Sequence, residues 1–177
     1  MGVPIGKLIC ASNKNKVLAD FFETGVYDMN RQFFTTDSPS MDILLSSNFE
    51  RFLFYVAGQD AEKVAQWEKD LSETGKMAVS AEELAQLRRE FEGGWIDDGE
   101  TEAVINHVYN DYGYPSGPPY GRSYGVYMNR RRQGLCEGRH TVAMARPIPI
   151  SSRRSSARPW RCLSMTMPST SSLKSPT

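Results

Sequence analysis

Residues whose types and spacing could do chemistry gather in two places in this 177-residue chain. Asn13 and Asn15 follow the apolar run Lys7-Leu8-Ile9-Cys10-Ala11-Ser12. That run reads as a strand, and the carboxyl end of a strand is where α/β sheets place their ligands. Further on, Ser40, Asp42, Asn48 and Arg51 bring a hydroxyl, a carboxylate, a carboxamide and a guanidinium close together in sequence. These four residues, with Asn13, are the polar groups singled out as site candidates. Each also has a plainer duty: Asn13 and Asn15 as turn residues, Ser38 and Ser40 as shapers of a Ser-Pro-Ser turn, Asn48 as a helix cap. His107 stands beside Val108 inside a helical pattern and reads as a surface or packing residue. Cys10 reads as a strand residue and not as a reactive thiol. Trp67, Trp95 and the tyrosines at helical spacing read as core or interface.

Composition excludes several other chemistries. His107 and His140 are the only histidines, and Cys10, Cys136 and Cys162 have no metal-binding spacing, so a zinc or histidine cluster is not expected. Three scattered cysteines also argue against a disulfide framework and point to a reducing, cytoplasmic setting. There is no run of about 18 apolar residues to span a membrane. The start, Met1-Gly2-Val3-Pro4, lacks the pattern of a secretory signal. The formal net charge of zero hides a division. Residues 1–114 carry ten Lys or Arg against twenty Asp or Glu, and residues 115–177 carry eleven against the single acid Glu137.

The elements that must position these groups follow from periodicity. Lys7 to Ser12 predicts a strand, the asparagines a turn, and Lys16 to Glu23 a helix capped by Gly25. Only six residues precede Lys7, so the strand is expected to have no sheet to join. Helices are predicted after Asn48, after Asp60, from the capping box Ser80-Ala81-Glu82-Glu83, and from Glu100 to Tyr112. The third of these puts Leu84, Leu87 and Phe91 on one face. Pro115 to Ser123 supports neither helix nor strand on composition. From Arg146 to Thr177, nineteen of 32 residues are Arg, Pro or Ser, which predicts disorder.

The segment from Val3 to Tyr114 resembles threonine synthase. The resemblance is carried by Pro4-Ile5, by Lys7 to Asn13, by Phe21-Phe22-Glu23-Thr24-Gly25-Val26-Tyr27, and most of all by Ser38-Pro39-Ser40-Met41-Asp42-Ile43 with Ser46-Ser47-Asn48-Phe49-Glu50-Arg51. It implies an α/β fold of the tryptophan-synthase-β type (fold type II among pyridoxal-phosphate enzymes). This portion would then be mostly helical, with one or two short strands. It implies pyridoxal phosphate as cofactor and O-phosphohomoserine as the small-molecule substrate. The Schiff-base lysine and the phosphate-binding loop of that family precede the part matched here. No catalytic or cofactor-binding residue is therefore expected in this chain, and Met1 reads as an internal methionine. Asn13, Ser40, Asp42, Asn48 and Arg51 remain the substrate-side candidates. No membrane and no particular protein partner is implied.

After Tyr114 the family continues Leu-Leu-Asp-Pro-His-Thr, and this chain does not. Codons for Pro115 to Ser123 exist that, read one base later, give Leu-Leu-Asp-Pro-His-Thr-Val-Ala-Ala. The family pattern then resumes at Tyr124-Gly125-Val126-Tyr127-Met128 and at His140 to Ala145. A second shift of frame at Arg146 to Arg153 would restore the family's Ser-Thr-x-Pro motif, where Arg146 and Pro147 now stand. Three stretches result: a threonine-synthase-like part (1–114), an altered continuation (115–145) and a basic tail (146–177). Two rival readings are a non-specific nucleic-acid binder using Arg130-Arg131-Arg132 and the tail, and a small helical interaction module over residues 48–114. The coding sequence around codons 115–123 and 146–150 is expected to show an extra or missing base at each place. An uninterrupted frame, conserved among close relatives of the gene, would refute the shifted reading.

Overall fold

The apolar run after Lys7 forms strand β1 (Leu8–Ser12), and the Asn-rich turn leads into helix α1 (Val17–Thr24). These elements belong to a computed structural model that describes residues 5–135 and 140–145; the tail predicted to be disordered lies outside the described residues. Gly25 ends α1 with φ 78°, its N–H donating to the Phe21 carbonyl at 2.8 Å. The expectation that β1 has no sheet to join is overturned. It pairs in parallel with β4 (Phe91–Trp95), Leu8 opposite Phe91 and Ser12 opposite Trp95. Glycine at 93 makes this possible. A Cβ there would stand 2.6 Å from the Ala19 Cα of α1, so only a bare backbone lets the helix lie on the strands. Phe91 therefore leaves the helical face assigned to it. Helix α4 (Ala81–Glu90) stops one residue earlier, where a strand-favouring aromatic residue precedes two glycines that disfavour helix.

The other elements are β2 (Val26–Asp28), a 3₁₀ turn (Pro39–Met41), α2 (Phe49–Val56), α3 (Ala61–Thr74), β3 (Lys76–Ala78), α5 (Asp98–Tyr112) and α6 (Pro118–Arg132). The fold class is as expected, mostly helical with short strands, the strands numbering four among the described residues. β2 and β3 run antiparallel, with Tyr27 opposite Met77. Caps set the helix starts. The Asp60 carboxylate accepts the amides of Glu62 and Lys63, and Ser80 and Glu83 form a reciprocal capping box. Asp97 and Glu100 make the same exchange at α5, which is why that helix opens before Glu100. Asn48 does not cap α2; its backbone is already helical, and its side chain is engaged by Arg51.

The chain divides into two compact units, Met1–Glu100 and Thr101–Thr177. The first has an aromatic core. Phe21 is fully buried, its ring edge-on to Phe49 at 4.9 Å, and Phe22 stacks on Phe91 at 5.9 Å. Val64, Trp67 and Leu71 of α3, Met77 of β3 and Leu87 of α4 complete it. Because Val17 to Tyr27 supply part of this core, residues 48–114 do not form a self-contained helical module.

The second unit, taken by itself, corrects a second expectation. Pro115 to Ser123 was expected to hold no helix, yet α6 begins at Pro118. Pro118 and Pro119 lie in the first turn, where a missing amide costs no hydrogen bond. Gly121 faces Ile105 and Thr101 so closely that a Cβ would meet the Ile105 side chain at 2.8 Å. Arg130 to Arg132 occupy the last turn of α6, where their charge complements the negative end of the helix dipole. Tyr114, Tyr120, Tyr124 and Tyr127 form a ladder of rings, Tyr120 and Tyr124 stacked at 6.1 Å.

Burial, aided by neighbouring Tyr112, pushes the Tyr124 phenol up to about 12. An unfolded tyrosine ionises near 10, so the folded chain holds this proton more tightly. The stability linked to Tyr124 is thus complete below about pH 10 and is lost as the pH rises towards 12. In an absorbance titration of the native chain, the last phenol to ionise is expected to be missing in Tyr124→Phe.

Candidate functional site

Between β2 and α2 the chain runs for twenty residues, 29–48, with only the 3₁₀ turn as regular structure. Its backbone groups must find partners elsewhere, and side chains from the end of β1 provide them. The Asn15 carboxamide clamps Phe34 at two points: its Oδ1 accepts the Phe34 amide and its Nδ2 donates to the Phe34 carbonyl, both at 2.8 Å. Asn13 Oδ1 accepts the Asn15 amide at 3.0 Å. Asn13 Nδ2 donates to Asp42 Oδ1 at 2.7 Å and lies 3.1 Å from the Met41 carbonyl.

Asp42 is the hub. Its Oδ2 accepts the Thr36 amide at 2.8 Å, and its Oδ1 accepts the Thr36 hydroxyl at 2.7 Å as well as Asn13. Asn15 Nδ2 stands 3.4 Å away. Arg31 adds a brace, donating to Asp20 Oδ2 at 2.6 Å and to the Asp28 carbonyl at 2.7 Å. Tyr27 anchors the far end, donating to the Leu44 carbonyl at 2.7 Å and accepting the Ser46 amide at 3.1 Å. Asn13, Asn15, Thr36 and Ser38 are all buried.

Of the five sequence candidates, the structure brings Asn13 and Asp42 into direct contact. Asn48 and Arg51 take no part in that network; they are exposed and bond to each other at the start of α2. Ser40 lies in the 3₁₀ turn, and its side chain is outside the described residues. Sequence reasoning missed Thr36, Arg31 and Tyr27. The available signal was a stretch without periodicity, Phe34-Thr35-Thr36-Asp37-Ser38, whose polar residues had to serve as local partners.

The arrangement orders backbone; it does not pair a nucleophile with a base. Burial pushes the Cys10 thiol up, with the Ser12 hydroxyl opposing, so it makes a poor nucleophile at neutral pH. His107 is exposed on α5, 3.1 Å from Asp111. Among the described residues no group of three or more metal-ligating side chains is assembled. No helix among them is long and apolar enough to cross a membrane.

The described residues also do not fit pyridoxal phosphate, which needs a lysine amine held out of water. Lys7, Lys16, Lys63, Lys69 and Lys76 each lie within 4.0 Å of a carboxylate and are at least one-third exposed. Lys14 is exposed and rests over the Phe34 ring.

No protein-family model matches the chain. Threonine synthase-like 1 from Macaca fascicularis is 42% identical over 115 residues, 64% of this chain and 16% of that protein. The threonine synthase of Pseudomonas aeruginosa is 33% identical over 149 residues, 84% of this chain and 31% of that protein. Among solved structures, a PLP-bound threonine synthase from Brucella melitensis superposes with a TM-score of 0.70 at 39% identity, covering 73% of this chain and 28% of that one. Yeast threonine synthase gives 0.70 at 30% identity, covering 76% and 29%. The chain thus spans less than a third of the length of each of these proteins.

Asp42→Asn would turn an amide donor towards the Thr36 and Asn13 donors. It is expected to lower unfolding stability by about 2 kcal/mol, the scale of a hydrogen bond to a charged group. Arg51→Ala and Asn48→Ala, on the exposed face, are expected to stay within roughly 0.5 kcal/mol of the parent. Urea unfolding of the three variants checks both.

Proposed function

We propose, from the premise that this chain is related to the threonine synthases, that it is a segment of such an enzyme: it builds and braces one side of the substrate site and does not catalyse alone. The single observation that carries this is the match to the PLP-bound Brucella melitensis threonine synthase, over 73% of this chain but 28% of that one. The reaction served would be the conversion of O-phosphohomoserine and water to threonine and phosphate. Pyridoxal phosphate, when bound by the whole enzyme, acts as the electron sink for that exchange. No step of it is assigned to a residue of this chain.

Within the segment, Asn13 and Asp42 act as positioning residues, holding 29–48 against the carboxyl end of β1. Ser40, Asn48 and Arg51 are the substrate-side groups. A guanidinium such as that of Arg51 suits a phosphorylated substrate by charge and fork geometry. Residues 115–145 continue the enzyme in altered form. The Pseudomonas aeruginosa match supports this, since 84% of 177 residues extends beyond residue 114 wherever it begins. A cytoplasmic setting fits the sparse, widely separated cysteines.

Incubated with pyridoxal phosphate and O-phosphohomoserine, the purified chain is expected to release neither threonine nor phosphate. Borohydride is expected to fix no cofactor onto it. Turnover above the buffer control would overturn the proposal.

A further inference from the structure

The basic side chains are divided by type as well as by place. In residues 115–177 ten of the eleven bases are arginines and Lys174 is the one lysine, whereas residues 1–114 hold six lysines and four arginines. Arg130, Arg131 and Arg132 stand in the last turn of α6, a helix with no Asp or Glu in it. Being consecutive, they are set about 100° apart around the helix end. Arg132 is exposed, its Nη1 3.4 Å from Asn129 Oδ1. Among the described residues neither Arg131 nor Arg132 is ion-paired. Arg146, Arg153, Arg154, Arg158 and Arg161 follow in sequence, outside the described residues, among serines and prolines and with no acid.

A guanidinium does two things for a phosphodiester strand that an ammonium does not. Its fork offers paired donors to phosphate oxygens, and its plane stacks on unpaired bases. An anionic lipid surface makes no use of the plane and attracts lysine as well as arginine. The acids of residues 1–114 do not fit as the partner in a second copy, because many are engaged within their own part of the chain. Asp20, Asp28, Glu73, Glu83 and Glu92 each sit beside a lysine or arginine, Asp42 is the hub of the loop network, and Asp60 caps α3. The field of those acids is screened beyond about 10 Å at 0.1 M salt.

We infer that Arg130 to Arg132, with the arginines from Arg146 onward, form a surface that binds single-stranded RNA through its phosphates and without preference for base sequence. Unpaired bases are what RNA ordinarily presents to proteins, and arginine-rich segments are suited to them. Binding of this kind is driven by release of the counterions condensed on the strand, so it weakens steeply as salt is added. The inference lies outside the proposed function. The three arginines of α6 fall in the altered continuation, and none is among Asn13, Ser40, Asp42, Asn48 and Arg51. Either reading can fail without the other.

The test titrates the full 177-residue chain into an end-labelled, mixed-sequence single-stranded RNA and follows fluorescence anisotropy. Affinity is expected to fall by roughly tenfold or more between about 50 and 200 mM KCl. Arg130→Ala, Arg131→Ala and Arg132→Ala combined, which keep good helix formers in α6, are expected to weaken binding by about tenfold or more at low salt. They should also flatten the slope of log affinity against log salt by about two, since each phosphate contact on a single strand contributes about 0.7. The same three positions changed to lysine keep the charge, so the slope should persist while affinity drops severalfold with loss of the fork and the stacking plane. Arg153→Gln with Arg154→Gln, away from α6, is expected to weaken binding independently of that helix. Four results would overturn the inference. The first is no anisotropy change at the lowest salt, and the second is unchanged binding in both the alanine and the glutamine variants. The third is tighter binding to a DNA duplex of equal length, or displacement of the RNA by phosphatidylserine vesicles at equal charge. The fourth is salt-reversible self-association that excludes the RNA, which would make a second copy the partner.

Discussion

One carboxylate organises the long irregular stretch between β2 and α2. Asp42 accepts hydrogen bonds from the Thr36 amide, the Thr36 hydroxyl and the Asn13 carboxamide, and so draws the 3₁₀ turn back onto the end of β1. Twenty residues with little regular structure would otherwise expose their amides and carbonyls to a partly apolar surface, at a cost of a few kcal/mol for each group left unpaired. Asn15 does for Phe34 what a neighbouring strand would do, offering one acceptor and one donor in a plane. The polar knot replaces a ladder of sheet hydrogen bonds. It also explains why Asn13 and Asp42, which looked like ligands from sequence, are occupied within the fold.

The aromatic core fixes the other side of that knot. Tyr27 belongs to both: its ring packs 4.8 Å from Phe49, and its hydroxyl bridges the Leu44 carbonyl and the Ser46 amide. A shift of α2 would therefore pull on the segment that carries Asp42. Phe22 and Phe52 extend the same core to Phe91, the first residue of β4, so β4 and helices α1 to α4 share one packed interior. Positioning of the polar groups and burial of the rings are thus linked through Tyr27.

What could be read from sequence was mostly local. Ser80 and Glu83 are three residues apart and satisfy each other's backbone amides, so the box is visible in the letters. Gly25 is legible for the same reason. The β1–β4 pairing was not, because Leu8 and Phe91 meet across more than eighty residues and the enabling feature is a glycine, which ordinarily signals a loop. Helix α6 was missed because proline was weighed as a helix breaker without regard to position; at the first turn it is a helix starter. Asn48 shows the opposite error. Its type suits a cap, but the guanidinium of Arg51 competes for its oxygen. Half of the candidate site was legible because Asn13 and Asp42 are chemically conspicuous, whereas Thr36 became important only through the course of the chain around it.

The same geometry explains a division of labour. A lysine that forms covalent bonds with a carbonyl must spend part of its time unprotonated, which requires desolvation or a nearby positive charge. Five lysines of the described residues sit beside carboxylates at the surface, and Lys14 lies exposed over a ring. Their places follow from the fold: Lys63 braces α3 against α4 through Glu83, Lys76 ties β3 to β2 through Asp28, and Lys7 ties the start of β1 to β4 through Glu92. To convert any of them into a nucleophile would mean burying it, and the interior is already filled by phenylalanines and tyrosine. The segment is thus specialised for shape. Its described residues offer a strand end with a polar loop fastened to it by Asn13, Asn15 and Asp42.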